Sequence, residues 1–401
     1  MMKPVIRKVP LAEVGAFRAG VGFPVHLQGR PTGELPFAKV SDISRAAKTG
    51  QKELVTADNY VHSSDLVELG ARPFPAGTIV FPKIGEAIKH NYRVILGTEC
   101  LVDNNVMGFV PDTSIVDVSY VYHFLRSRDF YQYADKTAVP SLRKTTLERL
   151  QIPLRPLDEQ RRIAEVLDRA ETLRRQRQSA LDWLSMLVDV MFAELFQGAL
   201  SAARWPIVRL GDVAAIQGGL QLSGKRAALP IEVPYLRVAN VYRGYIDLTE
   251  VKTLRATPEE VSRTRLLAND LLIVEGHGNA TEIGRCALWD GSVDPCVHQN
   301  HLIRVRVDQE RLDPVFLCHY LNSPQGRQHL LRSAKTTSGL NTISTSNVKE
   351  TPVVVPPMSL QKQFVERVTR VERVRATNLA SLAQLEALYA SLQHRAFRGE
   401  L

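Results

Sequence analysis

Between Pro156 and Gly198 the apolar residues Ile163, Leu167, Ala170, Leu181, Leu184, Val188, Met191 and Leu195 recur in steps of three or four. The one gap holds Arg174 and Arg177. That spacing predicts a single long helix, Gln160 to Phe196, with one apolar stripe of coiled-coil-like period. Pro153 and Pro156 stand just before it, and Gly198 is a stop signal just after it. Such a helix is about 55 Å long at 1.5 Å per residue and needs a partner of similar length. The partner lies in the same chain. Moving 201 residues along carries Pro156 to Pro357, Gln160 to Gln361, Ile163 to Phe364, Leu167 to Val368, Ala170 to Val371, Arg174 to Arg375 and Gly198 to Gly399.

The repeat extends beyond the helices. Pro36 to Val40 matches Pro234 to Val238, Cys100 and Asn104 match Cys296 and Asn300, and His123 matches His319. Drifting offsets are those of loops of unequal length. The short β-rich runs Ile79–Phe81, Leu271–Val274, Leu302–Val307 and Val353–Val355 read as strands, and Tyr120–Arg126 and Val315–Leu321 as helices. The segments 151–156 and 351–357 are proline-stiffened extended connectors, and Ala199 to Arg204 is the turn out of the first long helix. The fold class is α+β: two similar mixed globular halves and two long helices, with boundaries at 1–150, 151–198, 199–351 and 352–401.

Composition narrows the function. With 44% hydrophobic and 23% charged residues, the chain has the make-up of an ordinary soluble protein. It has no apolar run of membrane-spanning length, and its first residues lack the apolar core of a signal peptide. Four scattered cysteines fit a reducing cytoplasm better than a disulfide framework. The net charge of +9 is spread along the chain, which permits nucleic-acid binding without establishing it.

No catalytic motif is complete. Gly219 to Arg226 approximates a phosphate loop, but Arg226 stands where a magnesium-binding Ser or Thr is required. A basic loop touching DNA phosphate is the better reading. Gly276-His277-Gly278 follows a strand and reads as a turn. Cys296, His298 and His301, with Cys286, Cys318 and His319 elsewhere, lack the paired spacing of structural zinc sites and read as core residues. No metal is expected.

The order of these parts resembles the specificity subunit of Type I restriction-modification systems. The resemblance covers essentially the whole chain. Its most specific piece is Ile152-Pro153-Leu154-Arg155-Pro156-Leu157-Asp158-Glu159-Gln160; in the second copy Ser359 and Leu360 replace the acidic pair. The resemblance implies two target recognition domains, each reading one half of a split DNA site. Their long helices pair antiparallel as a coiled coil with internal pseudo-twofold symmetry. It further implies docking of two methyltransferase subunits, with a restriction/translocase subunit able to join. The chain itself is then not a catalyst; S-adenosylmethionine, and ATP with magnesium, are expected on the partners. A 55 Å spacer limits the halves to about 16 base pairs apart at 3.4 Å each, and their differing sequences predict an asymmetric site. On the residues alone, two readings stay open. One is a duplicated scaffold joining identical partners without DNA, and the other is an RNA-binding protein.

Base edges are read by Arg, Lys, Asn, Gln or carboxylates on loops. Candidates in the first half are Lys83, Lys89, His90, Asn91, Arg93, Lys136 and Arg143. In the second they are Lys225, Arg226, Arg237, Arg243, His277, Asn279, Lys335 and Asn341. The loops 135–143 and 334–342 are favoured because they occupy equivalent positions. Pro156, Gln160, Ile163, Arg174, Pro357, Gln361, Phe364 and Arg375 are candidates for the spacer and partner docking, with Arg174 and Arg375 fixing register or sitting where partners cross.

Overall fold

The computed structural model describes residues 7–198, 204–337, 339–398 and 400. It forms two compact units, Met1–Leu181 with Thr377–Leu401, and Asp182–Ala376. The division cuts each long helix, so each unit takes one end of both.

The strands of the first unit are β1 (Lys8–Pro10), β2 (Gly15–Ala19), β3 (Leu35–Ala38), β4 (Glu53–Leu54), β5 (Tyr60–Val61), β6 (Ile79–Pro82), β7 (Val94–Leu96), β8 (Leu101–Val102), β9 (Val106–Pro111) and β10 (Gln151–Pro153). They pair as β2-β9-β6-β7-β4, β5-β3-β8 and β1-β10. The run Ile79–Pro82 is buried along its whole length, which is why it reads as a continuous apolar run rather than an alternating one.

The strands of the second unit are β11 (Ile207–Arg209), β12 (Ala214–Gly218), β13 (Ile231–Leu236), β14 (Lys252–Ala256), β15 (Leu271–Val274), β16 (Gly276–His277), β17 (Cys286–Leu288), β18 (Val297–His298), β19 (Leu302–Val307), β20 (Lys335–Thr337), β21 (Leu340–Thr342) and β22 (Pro352–Val354). Their sheets are β12-β19-β15-β17, β14-β13-β18, β16-β21-β20 and β11-β22.

The duplication holds at the level of register. Gly15 pairs with Pro111 as Ala214 does with Val307. Ile79 pairs with Phe109 as Leu271 does with Val305. The parallel pair Phe37–Leu101 recurs as Tyr235–Val297. Even a close approach is copied: a Cβ on Gly20 would lie 2.0 Å from the Asp103 carbonyl oxygen, and one on Gly219 2.3 Å from that of Gln299. Only glycine fits where two backbones meet so tightly.

The first long helix runs Leu157–Phe192 and the second Met358–Arg398. In the first unit, Ile163, Leu167 and Ala170 share one core with Tyr389, Ala396 and Phe397 and with the helix Val118–Arg126. In the second unit, Val188, Phe192 and Phe196 meet Phe364, Val368 and Val371 and the helix Pro314–Asn322. Early residues of one helix thus meet late residues of the other in both units, an antiparallel pairing. Arg174 with Glu386 and Arg177 with Asn378 repeat that direction.

Two details differ from the periodicity. The α-helix gives way to a π turn at Ala193–Gln197, which carries the buried face through Val188, Phe192 and Phe196 in steps of four. Leu195 is only partly buried as a result. Gly198 remains in right-handed helical geometry, φ −63 and ψ −40, so it does not end the helix by a left-handed turn. Residues 199–203 and Gly399, where a turn and a second stop were expected, lie outside the described residues.

Candidate nucleic-acid interface

The motif glutamine proves to be an internal clamp. Gln160 is fully buried. Its Oε1 accepts from the Asp117 N–H at 2.9 Å, and its Nε2 donates to the carbonyls of Ile115 at 3.0 Å and Arg155 at 2.7 Å. Asp117 caps the helix Val118–Arg126 through Tyr120 N–H. The second unit repeats the device: Gln361 Oε1 accepts from Asp313 N–H at 2.8 Å, and its Nε2 donates to the carbonyls of Arg311 and Pro356. Buried polar groups must be satisfied, and one side-chain amide satisfies three backbone groups here. Gln160, Gln361, Ile163 and Phe364 are therefore core residues of their own units, not contacts offered to a partner. Pro156 and Pro357 are exposed. Arg174 pairs with Glu386 at 3.6 Å and lies 5.0 Å over the Tyr389 ring, and Arg375 pairs with Glu372 at 3.3 Å. Both arginines are partnered within their units.

In the first unit the segments 83–91 and 135–143 are laid side by side. Gly85 N–H donates to Pro140 O at 2.8 Å and Leu142 N–H to Lys83 O at 2.9 Å. Asp135 staples the second segment by accepting from Ser141 N–H and Thr137 Oγ1, both at 2.9 Å. Those bonds, the one from Ser141 first, hold its carboxyl below the ordinary range. Lys89, His90, Lys136 and Arg143 are exposed on this surface, with Lys83 half-buried among them. Lys89 is 2.5 Å from Glu86, and Arg143 3.8 Å from Asp135.

Two candidates in this unit play another part. Arg93 is only 3% exposed. It donates to the carbonyls of Asn91 and Arg128 and stacks 3.9 Å over Phe130, and burial with nearby Arg126 pushes its pKa down to about 9. It cannot reach a base edge. Asn91 takes a left-handed conformation, φ 55, with its side chain bonded to Phe130 N–H and Arg126 O. Asn adopts that conformation readily.

In the second unit β16, β21 and β20 bring the corresponding segments together, with His277 opposite Asn341 and Lys335 opposite Thr342. Asn341 Nδ2 donates to the carbonyls of His277 and Gly278, and its Oδ1 accepts from Thr336. Asn279 Oδ1 accepts from Thr281 N–H at 3.0 Å, and its own N–H donates to His277 Nδ1. Asn341 and Asn279 thus shape the loops, while Lys335 and Lys225 are exposed. Arg226 is paired twice with Glu260, at 2.9 and 3.0 Å, which removes it from the basic loop expected at Gly219 to Arg226. Arg237 is held by Glu250. Arg243 donates to Asn322 at 3.3 Å.

The four cysteines and His298 are packed groups, whereas His301, expected in the core, is only half-buried and lies 3.2 Å from Glu275. His298 lies between the carbonyls of Thr264 and Gln217, at 3.1 and 3.2 Å, yet burial outweighs them and pushes its pKa down to about 4. Burial pushes the Cys296 thiol up to about 12. His123, Asp168 and Glu171 lie close enough together to suggest a metal. Lys52, 2.5 Å from Asp168, and Arg126, on Glu171, already balance those carboxylates.

Sequence reasoning missed the clamp's inward role, although Asp117 and Asp313 repeat at 196 just as the glutamines repeat at 201.

Comparison with known proteins agrees with this architecture. The family described as Type I restriction modification DNA specificity domain matches residues 8–181 and 203–387. The Type I restriction enzyme EcoKI specificity subunit of Escherichia coli K12 is 25% identical over 320 residues, covering 73% of this chain and 68% of that protein. The StySPI specificity subunit of Salmonella potsdam is 25% identical over 317 residues, with the same two coverages. In fold, the S subunit of a Type I system from M. genitalium superposes with a TM-score of 0.57 at 16% identity, over 99% of this chain and 98% of that one. No helix among the described residues is long and apolar enough to cross a membrane. With two matches that span most of its length, one on each copy of the repeat, the chain belongs to the Type I restriction-modification DNA specificity family.

Proposed function

We propose that each unit reads one half of a split, asymmetric DNA site and that the chain carries two methyltransferase subunits to it. As a member of this family the chain is a non-catalytic, sequence-specific DNA-binding subunit that directs a Type I restriction-modification complex. The observation that carries the finer reading is a conserved frame with unlike surfaces. The central strand order and register are shared, β2-β9-β6-β7 in one unit matching β12-β19-β15-β17 in the other, while among the described residues the edge strand β4 and the sheet β16-β21-β20 each occur in one unit only. The exposed cations on the paired loops differ, with Lys89, Lys136 and Arg143 in one and Lys335 in the other. Unlike surfaces on like frames favour unlike half-sites. S-adenosylmethionine belongs on the methyltransferase subunits, and ATP with magnesium on a restriction/translocase subunit when one joins; the assembly works on DNA in the cytoplasm.

The test is reconstitution of the full chain with its methyltransferase subunit, followed by selection from a random duplex library. The reading expects a complex with two methyltransferase subunits per chain that enriches one gapped motif. A complex that assembles and enriches no sequence overturns it. Lys136→Glu and Lys335→Glu should weaken binding of every duplex and lower the log–log salt slope by about 1; unchanged affinity across salt rejects these loops as phosphate contacts.

A further inference from the structure

The turn Tyr242–Tyr245 of the second unit is a rigid frame. Gly244 has φ +81, a conformation glycine takes without steric penalty. Its N–H donates to Cys286 O at 2.9 Å, and Tyr242 N–H donates to Tyr245 O at 2.9 Å. The two exposed tyrosine rings stack 4.9 Å apart at 3°. This frame presents Arg243, which donates to Asn322 Oδ1 at 3.3 Å and, at the 3.5 Å limit, to Thr281 O. Arg327 reaches the same carbonyl from the loop before the helix Gln328–Ser333. Arg285, buried and 5.4 Å from the Tyr242 ring, backs the cluster from within, donating to Glu282 Oε2 at 2.8 Å and Val238 O at 3.2 Å.

Three guanidinium groups thus converge where one carboxylate, Glu282, stands 2.8 Å from Arg285 and 3.9 Å from Arg243. The hydrogen bond from Arg285, with Arg243 nearby, holds that carboxyl below its ordinary range. Burial and the charge of Arg243 together lower the pKa of Arg327, and three arginines around one carboxylate leave the cluster with positive charge in excess. It adjoins the loops named above, because Thr281 is bonded to Asn279 and the Asn341 amide holds the His277 carbonyl.

We propose that Arg243 and Arg327, backed by the buried Arg285, form a subsite for one backbone phosphodiester of DNA, and that Glu282 is the internal anion this phosphate displaces. The inference rests on the DNA-reading function above. Guanidinium forks match phosphate oxygens, and a phosphate fixed here sets the register of the His277–Thr281 and Lys335–Thr342 loops over the base edges. Glu282 holds the arginines in place in free protein and competes with every phosphate, so it lowers affinity for DNA of any sequence. The first unit does not copy the whole cluster. Arg93 and Arg45 stand at the offsets of Arg285 and Arg243, but His90 replaces Glu282, Tyr131 replaces Arg327, and Arg45 is paired with Asp42 and Asp58.

The experiment uses the full chain assembled with its methyltransferase subunits and a duplex bearing the modified site, with a scrambled duplex as control. Phosphate-ethylation interference on wild type should show one strongly required phosphate that Arg243→Ala and Arg327→Ala both erase, leaving the other interference signals in place. Affinity in these variants should fall about tenfold, the loss of one charge-assisted contact, and the salt slope by about 0.9. Arg243→Lys should keep the slope. Glu282→Gln should bind cognate and scrambled duplexes more tightly, by about threefold or more, the counterpart of one surface charge interaction. Interference patterns identical to wild type in both arginine variants, or a Glu282→Gln protein that binds no tighter, overturn the subsite. If wild type itself fails to prefer the cognate duplex, the DNA-reading function falls instead. Variants that lose every interference signal have lost the fold, and Glu282→Gln, which removes only a charge, then decides.

Discussion

Replacing Gln160 with leucine removes three hydrogen bonds from a site closed to water. The amide is fully buried and serves the Asp117 N–H and the carbonyls of Ile115 and Arg155 at 2.7 to 3.0 Å. Leucine is close in volume, so cavity formation adds little and the cost is that of buried polar groups losing a partner. At about 1–3 kcal/mol for each group, and with neighbouring losses adding incompletely, the total is about 3–5 kcal/mol. That is a large fraction of the about 5–15 kcal/mol that holds a domain folded. Because the clamp acts within one unit, hydrogen exchange followed by mass spectrometry on the full chain is the assay. Gln160→Leu should lower protection in peptides spanning 117–126 and leave 313–322 unchanged. Gln361→Leu, which breaks the equivalent bonds to Asp313, Arg311 and Pro356, should do the reverse. A change below about 0.5 kcal/mol, the size of an ordinary surface substitution, would refute the clamp.

Three further outcomes follow from the geometry. Gly20→Ala and Gly219→Ala place a Cβ 2.0 and 2.3 Å from carbonyl oxygens and should each cost about 1–3 kcal/mol or more, whereas Gly22→Ala, with open space around it, should be neutral in urea denaturation. His298 is held neutral with a pKa near 4 against about 6.5 when unfolded. The unfolded chain therefore takes up a proton first as pH falls, and the second unit should lose about 3 kcal/mol between about pH 6.5 and pH 4; exchange in that unit across the range checks this, and His298→Asn should flatten the slope. Arg93→Met should alter folding stability while leaving the salt slope of DNA binding unchanged, since Arg93 is bonded to the carbonyls of Asn91 and Arg128 and covered by Phe130.

The long helices and the duplication were legible because both rest on spacing. A stripe in steps of three or four and a fixed offset of 201 survive substitution, and the structure adds that the order and register of the central strands are copied too. The strand Leu271–Val274 was readable as an unbroken apolar run, and Leu302–Val307 as a β-rich run in which Arg304 and Arg306 alternate with apolar residues. Short strands such as Glu53–Leu54 and Gly276–His277 were not, because two residues carry no period and their pairing is set by distant partners. The candidate surface was half legible. A loop's charge is visible in sequence, but whether an arginine faces water or a carboxylate depends on residues far along the chain. Glu260, 34 positions from Arg226, decides that side chain's fate, and Phe130 with Arg128 decides that of Arg93. The π turn at Ala193–Gln197 was hidden for a related reason: the apolar residues there, Phe192, Leu195 and Phe196, satisfy either helical spacing.

The central claim is that two copies of one frame with unlike surfaces read two unlike half-sites. Mapping modified adenines across the genome of cells that express this chain with its methyltransferase partner tests it most directly. The account predicts a single motif in two different parts separated by unspecified bases, lost when the chain is deleted. A continuous or palindromic motif that depends on this chain would contradict it.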